Sequence, residues 1–139
     1  LDSNTGGIDL VANPPGVTIY VDGKKVGVSE QGASKRISKM ISLRNLSAEE
    51  HLIVISHKRA IPEKKEIRVK VEKGKISRPK SIDMWIADTE LRHKDGRVMM
   101  GRLSMENENE VIFEPEPGIK QSYQRSEIKL LKPLAYDDL

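Results

Sequence analysis

Three histidines, His51, His57 and His93, are the side chains best suited to proton transfer near neutral pH in this 139-residue chain. His51 and His57 stand six apart, so a regular strand presents both on one face. No carboxylate stands at ligand spacing from either. A zinc site needs three or four convergent ligands, so packing or exposure is the simpler reading of the pair. His93 borders a hairpin, and no serine or aspartate is tied to it by a motif, whereas a catalytic base needs an oriented nucleophile or substrate. Asp83, Asp88 and Asp95 lack the spacing of a calcium loop. Asp22 and Asp95 each precede a glycine and read as turn residues. The chain has no cysteine, which removes disulfides, thiol nucleophiles and cysteine-bound zinc together. No phosphate-cradling glycine loop, nucleophile elbow or zinc-protease helix is present. No catalytic, metal-binding or cofactor-binding residue is therefore assigned, no cofactor is expected, and the chain reads as a non-enzyme.

The elements that would position these groups are strands. Asn13-Pro14-Pro15-Gly16 forces a turn, Val17 to Asp22 alternates, and Asp22-Gly23 demands a tight hairpin whose return strand ends at Gly27. Ile8, Leu10 and Ala12 mark an earlier half-buried strand, after a flexible lead-in over Leu1 to Gly7. Ser29 to Lys39 reads as a long loop. Leu52 to Ile55 is apolar throughout, the mark of a strand covered on both faces. Glu66 to Glu72 alternates, with Ile67, Val69 and Val71 on one side and Arg68 and Lys70 on the other.

A second pattern begins near residue 87. Asp95-Gly96 is another tight turn, Val98 to Met105 is a strand with a bulge or sharp bend at Gly101, and strands follow over Val111–Glu114, Ile119–Gln124 and Ile128–Leu131. No stretch carries helical periodicity beyond one turn. Short strands at this spacing build sandwiches or barrels, so the expected fold is all-β, in one module over residues 7–86 and a small five-stranded one over 87–134, with Ala135 to Leu139 as a tail. The first core should include Leu10, Ile19, Val21, Leu43, Leu52, Val54, Ile67, Val69 and Val71. The second should include Leu91, Val98, Leu103, Val111, Phe113 and Ile128.

Net charge is +3, too slight to demand a polyanion partner. Five aromatic residues (Tyr20, Trp85, Phe113, Tyr123 and Tyr136) are too few for a base-stacking platform. Charge is nonetheless segregated. Residues 58–80 hold ten basic against three acidic side chains, and 83–116 hold nine acidic against four basic. Either these are solvated faces, or the basic run meets an acidic polymer, a membrane surface or the second module. Trp85 alternates out of phase with Met84 and Ile86, which sets it on the opposite face near the module boundary. Tryptophan is favoured at contact centres. With Lys64, Arg68 and Lys70 it forms the set of candidate partner contacts. No apolar run approaches the roughly 20 residues that span a bilayer. The chain opens on Leu1 with no signal peptide, as an excised or processed piece does.

The first 86 residues resemble the PEGA domain family. Pro14-Pro15-Gly16-Val17 stands in the place of the turn that names the family, and Val17-Thr18-Ile19-Tyr20-Val21-Asp22-Gly23-Lys24 is similar to its strand and hairpin. Gly27 matches the glycine after that hairpin. Leu43-Arg44-Asn45-Leu46, then His51 leading into Ile53-Val54-Ile55, is similar to a further family segment, and Glu66 to Gly74 to its final strand and turn. Glu50 stands where a glycine usually precedes the histidine, and the stretch from Ser29 to Lys39 is longer than the usual connection. The resemblance implies a seven-stranded prealbumin-type sandwich, an extracytoplasmic or cell-surface setting, and no catalytic residues. The C-terminal stretch resembles small Sm-like or Src-homology-type barrels through Leu91-Arg92-His93-Lys94-Asp95-Gly96-Arg97, Gly101-Arg102-Leu103 and the closing Ile128-Lys129-Leu130-Leu131. Its loops carry Glu106, Glu108, Glu110, Glu114 and Glu116, which would repel a phosphate backbone.

The expected function is a non-enzymatic binding or scaffold module of a bacterial or archaeal envelope-associated or surface protein, with a protein or envelope polymer as partner and no transmembrane segment of its own. Two alternatives stand beside it. One is nucleic-acid binding through the barrel and the basic face; the other is an extracytoplasmic sensor segment of a larger receptor or kinase.

Overall fold

A computed structural model describes residues 4–135. The chain is all-β, and a single 3-10 turn at Arg125–Glu127 is the one helical element among those residues. It divides into two compact units. The first runs through Lys58 and includes Pro62–Met84; the second holds Arg59–Ile61 and the chain from Trp85 onward.

In the first unit the strands are β1 (Thr5–Leu10), β2 (Ala12–Asn13), β3 (Thr18–Val21), β4 (Lys24–Val28), β5 (Gln31–Ser34), β6 (Ile37–Ser38), β7 (Ile41–Ser47), β8 (Glu50–Ser56), β9 (Lys64–Lys70), β10 (Ile76–Ser77) and β11 (Ile82–Asp83). An antiparallel sheet has the order β4-β3-β8-β9. A mixed sheet has the order β10-β1-β7, and β11-β2 and β5-β6 are two-stranded pairs. Apolar side chains from both larger sheets are buried: Ile8, Leu10 and Leu43 from one, and Ile19, Val21, Ile53, Ile55 and Val69 from the other. The arrangement is consistent with a β-sandwich.

The local reasons are legible residue by residue. Asp22 (φ 50°) and Gly23 (φ 85°) sit in the left-handed region that the tight β3–β4 hairpin requires. The expected lead-in is instead part of a strand from Thr5 onward. Gly6 is buried there because the chain passes so close that a Cβ would stand 2.3 Å from the Glu72 carbonyl oxygen. The expected loop over residues 29–39 contains the β5–β6 pair. Polar anchors hold it more than an apolar pattern does. The Ser38 N–H donates to Asn13 Oδ1 at 2.7 Å, and the Ser29 hydroxyl takes the Val17 N–H and donates to the Pro14 carbonyl, each at 3.0 Å.

The phase of β8 also differs from expectation. His51, Ile53 and Ile55 point inward, whereas Leu52 and Val54 are only half-buried. The run is apolar at both parities, so composition does not choose a side. The register chooses, because Ile53 pairs with Val21 and Ile55 with Ile19, both inward on β3. Ile67 is half-buried on β9.

The second unit has β12 (Thr89–His93), β13 (Val98–Glu106), β14 (Glu110–Glu116), β15 (Ile119–Gln124) and, after the 3-10 turn, β16 (Ile128–Pro133). Its five strands form one antiparallel sheet in the order β15-β14-β13-β12-β16. No pairing of β15 with β16 closes it into a barrel, so among the described residues the module is an open sheet whose edge strands are β15 and β16. Its core is Leu91, Val111, Phe113 and Tyr123, with Met99, Leu103, Ile128 and Leu131 packed against it. Val98, expected in that core, is 55% exposed. The run Val98-Met99-Met100 is apolar at both parities, and it is Met99 that packs against the core. The irregularity of β13 falls between Leu103 and Met105 rather than at Gly101. Gly101 is glycine for a different reason: a Cβ there would lie 2.3 Å from the Glu114 carbonyl oxygen and 2.7 Å from Phe113 Cζ.

Candidate functional site

One concavity belongs to the second unit and lies where the chain returns from β15 to β16. The Gln124 N–H donates to Glu127 Oε1 at 3.1 Å, closing one half of a capping box around the 3-10 turn. The Arg125 N–H donates to the Asn109 carbonyl at 2.8 Å, and Arg125 Nη1 donates to Glu106 Oε2 at 2.8 Å, tying the turn to the β13–β14 hairpin. β16 then runs back beside β12. At the start of β12, Asp88 staples the bend in β13 by accepting the Leu103 N–H at 3.0 Å and the Thr89 hydroxyl at 2.9 Å.

Beside these bonds lies a groove of about 420 Å³, lined by Thr89 of β12, Leu103 and Glu106 of β13, Arg125 of the turn, and Ile128, Lys129, Leu130, Leu131 and Pro133 of β16. Four consecutive residues of β16, whose side chains alternate between faces, line it together with Thr89 and Pro133, which pair across β12 and β16. β16 pairs only with β12 among the described residues, so its other side is a strand edge without a strand partner among them. Glu106 and Arg125 are both 45% exposed, so their ion pair shapes the rim more than it stabilises the fold.

Of the four candidate contacts from the sequence, Lys64, Arg68 and Lys70 are exposed on edge strand β9. They share a face with Glu66 and, by register, stand opposite Ser56, Leu52 and Glu50 of β8. Arg68 approaches Glu50 at 3.4 Å. Lys65, on the other side of β9, donates to the Asp83 carbonyl at 2.7 Å, and Lys75 pairs with Glu72 at 3.2 Å. The basic run in sequence is thus divided among sides and interleaved with carboxylates. Trp85 is buried in the second unit, and its indole N–H donates to the Glu114 carboxylate. It offers little surface to a partner.

The remaining chemistry-bearing groups are separately engaged. Asp83 accepts from Asn13 Nδ2 at 2.8 Å, and Asp95 accepts from the Arg97 N–H and Nε at 2.9 and 2.7 Å. The Arg97 bonds hold the Asp95 carboxyl below the usual carboxylate range. His93 Nδ1 accepts the Asp95 N–H at 3.1 Å, Nε2 faces Glu127 Oε2 at 3.3 Å, and the ring stands edge-on to Tyr123. The Gln124 N–H, aided by His93, lowers the Glu127 pKa. His57 is buried, and its N–H donates to the Glu63 carbonyl at 3.0 Å. Among the described residues no three of His, Asp and Glu converge so as to hold a metal ion.

His51 is the most enclosed of these. Nδ1 lies 2.5 Å from Asp22 Oδ2, and Nε2 lies 2.8 Å from the Ser47 carbonyl and 3.3 Å from its hydroxyl. A carboxylate and a carbonyl both require a donor, so the ring fits as the doubly protonated imidazolium. Burial alone would lower its pKa, but the Ser47 carbonyl and Asp22 outweigh burial and raise it. With both nitrogens donating, no lone pair is left to act as a base. Asp22 is in turn held below the ordinary carboxylate pKa by the Leu52 N–H and then by His51.

Sequence reasoning singled out His51 and the β9 cations but missed the groove. A signal existed in Gln124-Arg125-Ser126-Glu127, a capping-box spacing, and in Pro133, which ends a strand. Glutamine at the cap position is uncommon, and the sheet's strand order leaves no local mark. No family model matches the chain, and no curated protein and no solved structure matches it either.

Proposed function

We propose that this chain is a non-enzymatic binding or scaffold module of an envelope-associated or surface protein, whose second unit takes an extended partner segment as an added strand along β16. The observation that carries the reading is the groove of about 420 Å³ lined by five residues of β16, a strand with one unpaired edge among the described residues. Strand addition needs little else: main-chain hydrogen bonds supply affinity, and pockets beside the edge select alternate side chains. Leu103 and Ile128, half-buried against the core, offer such an apolar floor. The first unit then serves as a rigid PEGA-like spacer, in keeping with the turn and hairpin residues that carry that resemblance. An extracytoplasmic setting and a protein partner belong to the same proposal.

The nucleic-acid alternative receives less support. Glu50 and Glu66 interrupt the outer face that carries Lys64, Arg68 and Lys70, and phosphate binding wants an uninterrupted positive field.

The test is to pan a phage-displayed library of random peptides against the full chain. The expected binders adopt extended conformations, and their affinity falls about tenfold or more in Leu130→Asp, a change at an exposed position on the groove wall. No enriched sequence, or binders indifferent to both Leu130→Asp and Lys129→Glu, would overturn the reading.

A further inference from the structure

The ring of His51 touches two different parts of the first unit at once. Through Nδ1 it meets Asp22, at the tip of the β3–β4 hairpin, and through Nε2 it meets Ser47, where β7 turns into β8. Asp22 is fastened a second time, because its Oδ1 accepts the Leu52 N–H at 2.9 Å and its own N–H donates to the Leu52 carbonyl at 2.9 Å. Ser47 shares its carbonyl with the Glu49 N–H at 2.8 Å, and the Glu49 carbonyl accepts the Val71 N–H at 3.0 Å. The His51–Ser47 contact therefore bears on how the β7–β8 turn holds the chain beyond β9.

The charged groups facing the ring are Asp22 from the β3–β4 turn and Glu49 from the β7–β8 turn, both anionic. On β9 the residue opposite is Val69, and β3 ends in buried Val21, so neither sets a cation against the ring. A neutral imidazole carries one N–H for two acceptors. Its proton stays on the nitrogen beside the carboxylate, which attracts it more strongly than a carbonyl does. The nitrogen that empties is Nε2, which then sets its lone pair against the Ser47 carbonyl 2.8 Å away. The Ser47 hydroxyl, at 3.3 Å, can rotate to donate to that nitrogen, but the carbonyl loses the ring's bond and keeps that of the Glu49 N–H.

We propose that His51 is a proton-operated fastener of the β7–β8 turn: charged, it grips both Asp22 and the Ser47 carbonyl; neutral, it keeps Asp22 and releases the turn.

The sign of the pH dependence follows from the raised pKa. The grip is complete below the ordinary histidine value of 6.5 and is lost as pH rises through the higher folded value. The experiment is an NMR titration of the full chain, following the ring nitrogens of His51 and the amide exchange of Val71, corrected for hydroxide catalysis. The expected result has three parts: a midpoint above 6.5, loss of the Nε2 proton with the Nδ1 proton kept, and about a tenfold fall in Val71 protection across the titration, as loss of one charge-assisted hydrogen bond gives. Asp22→Asn should move the midpoint down. A midpoint at or below 6.5, loss of the Nδ1 proton first, or unchanged Val71 protection would overturn the proposal. So would an Asp22→Asn variant that titrates like the parent. If that variant does not fold, the parent titration decides alone.

Discussion

At the scale of single residues, the charged groups of this protein are occupied with one another. Asp9 is nearly buried on β1, with Arg44 at 2.9 Å and Arg78 at 3.4 Å. The Arg44 guanidinium is the main cause of its lowered pKa, against the upward push of burial. Asp22, Asp95 and Glu127 are lowered as well, each chiefly by a backbone N–H. A depressed carboxylate stabilises the fold above its unfolded pKa, and that stability is lost as pH falls through the folded value. Urea midpoints should therefore hold steady between the ordinary glutamate value of 4.5 and the ordinary histidine value of 6.5, and fall as pH drops below that range. Asp9→Asn should lower the plateau and flatten the acid-side fall; an unchanged midpoint at pH 6 would show that the two arginines do nothing for stability. Which side chains carry charge was plain in the sequence. Their partners were not, because Asp9–Arg78 and Asp22–His51 join positions far apart in the chain, and only the sheet registers bring them together.

At the scale of elements, turns and the phases of alternating strands such as β3 and β9 were legible, and the phases of strands apolar at both parities were not. Asp22-Gly23 and Asp95-Gly96 announce hairpins because a tight turn is set by the φ values of two neighbouring residues. The sides of β8 and β13 were not readable, since Leu52-Ile53-Val54-Ile55 and Val98-Met99-Met100 are apolar whichever way they face. The β5–β6 pair escaped because the side chains of Ser29 and Asn13 hold it. The groove escaped for a related reason, as it lies where the irregular part of β13 and the returning β16 come together. Gly101 is the best probe of how closely β13 and β14 approach. A Cβ there meets the Glu114 backbone and the Phe113 ring, neither a flexible chain end. Gly101→Ala should cost about 1–3 kcal/mol, the usual range for overpacking. A guanidinium unfolding curve superposable on that of the parent would show that β13 and β14 do not approach as closely as described.

At the scale of the whole molecule, two units each carry their own buried apolar set. Phe113 is fully buried in the second, clustered with Leu91, Val111 and Tyr123. Phe113→Ala should cost about 3–5 kcal/mol. It should strip hydrogen-exchange protection from β12 to β16 while β3, β8 and β9 keep theirs; loss of protection throughout would mean that the units do not stabilise independently. That division gives the proposed function its form, a spacer in one unit and a strand-accepting edge in the other. The most direct test of that edge is amide exchange of the full chain with and without a peptide selected by panning. Slowed exchange confined to Ile128–Lys132 is the predicted result. Unchanged exchange there, with protection gained at β4, β9 or β15 instead, would contradict the account.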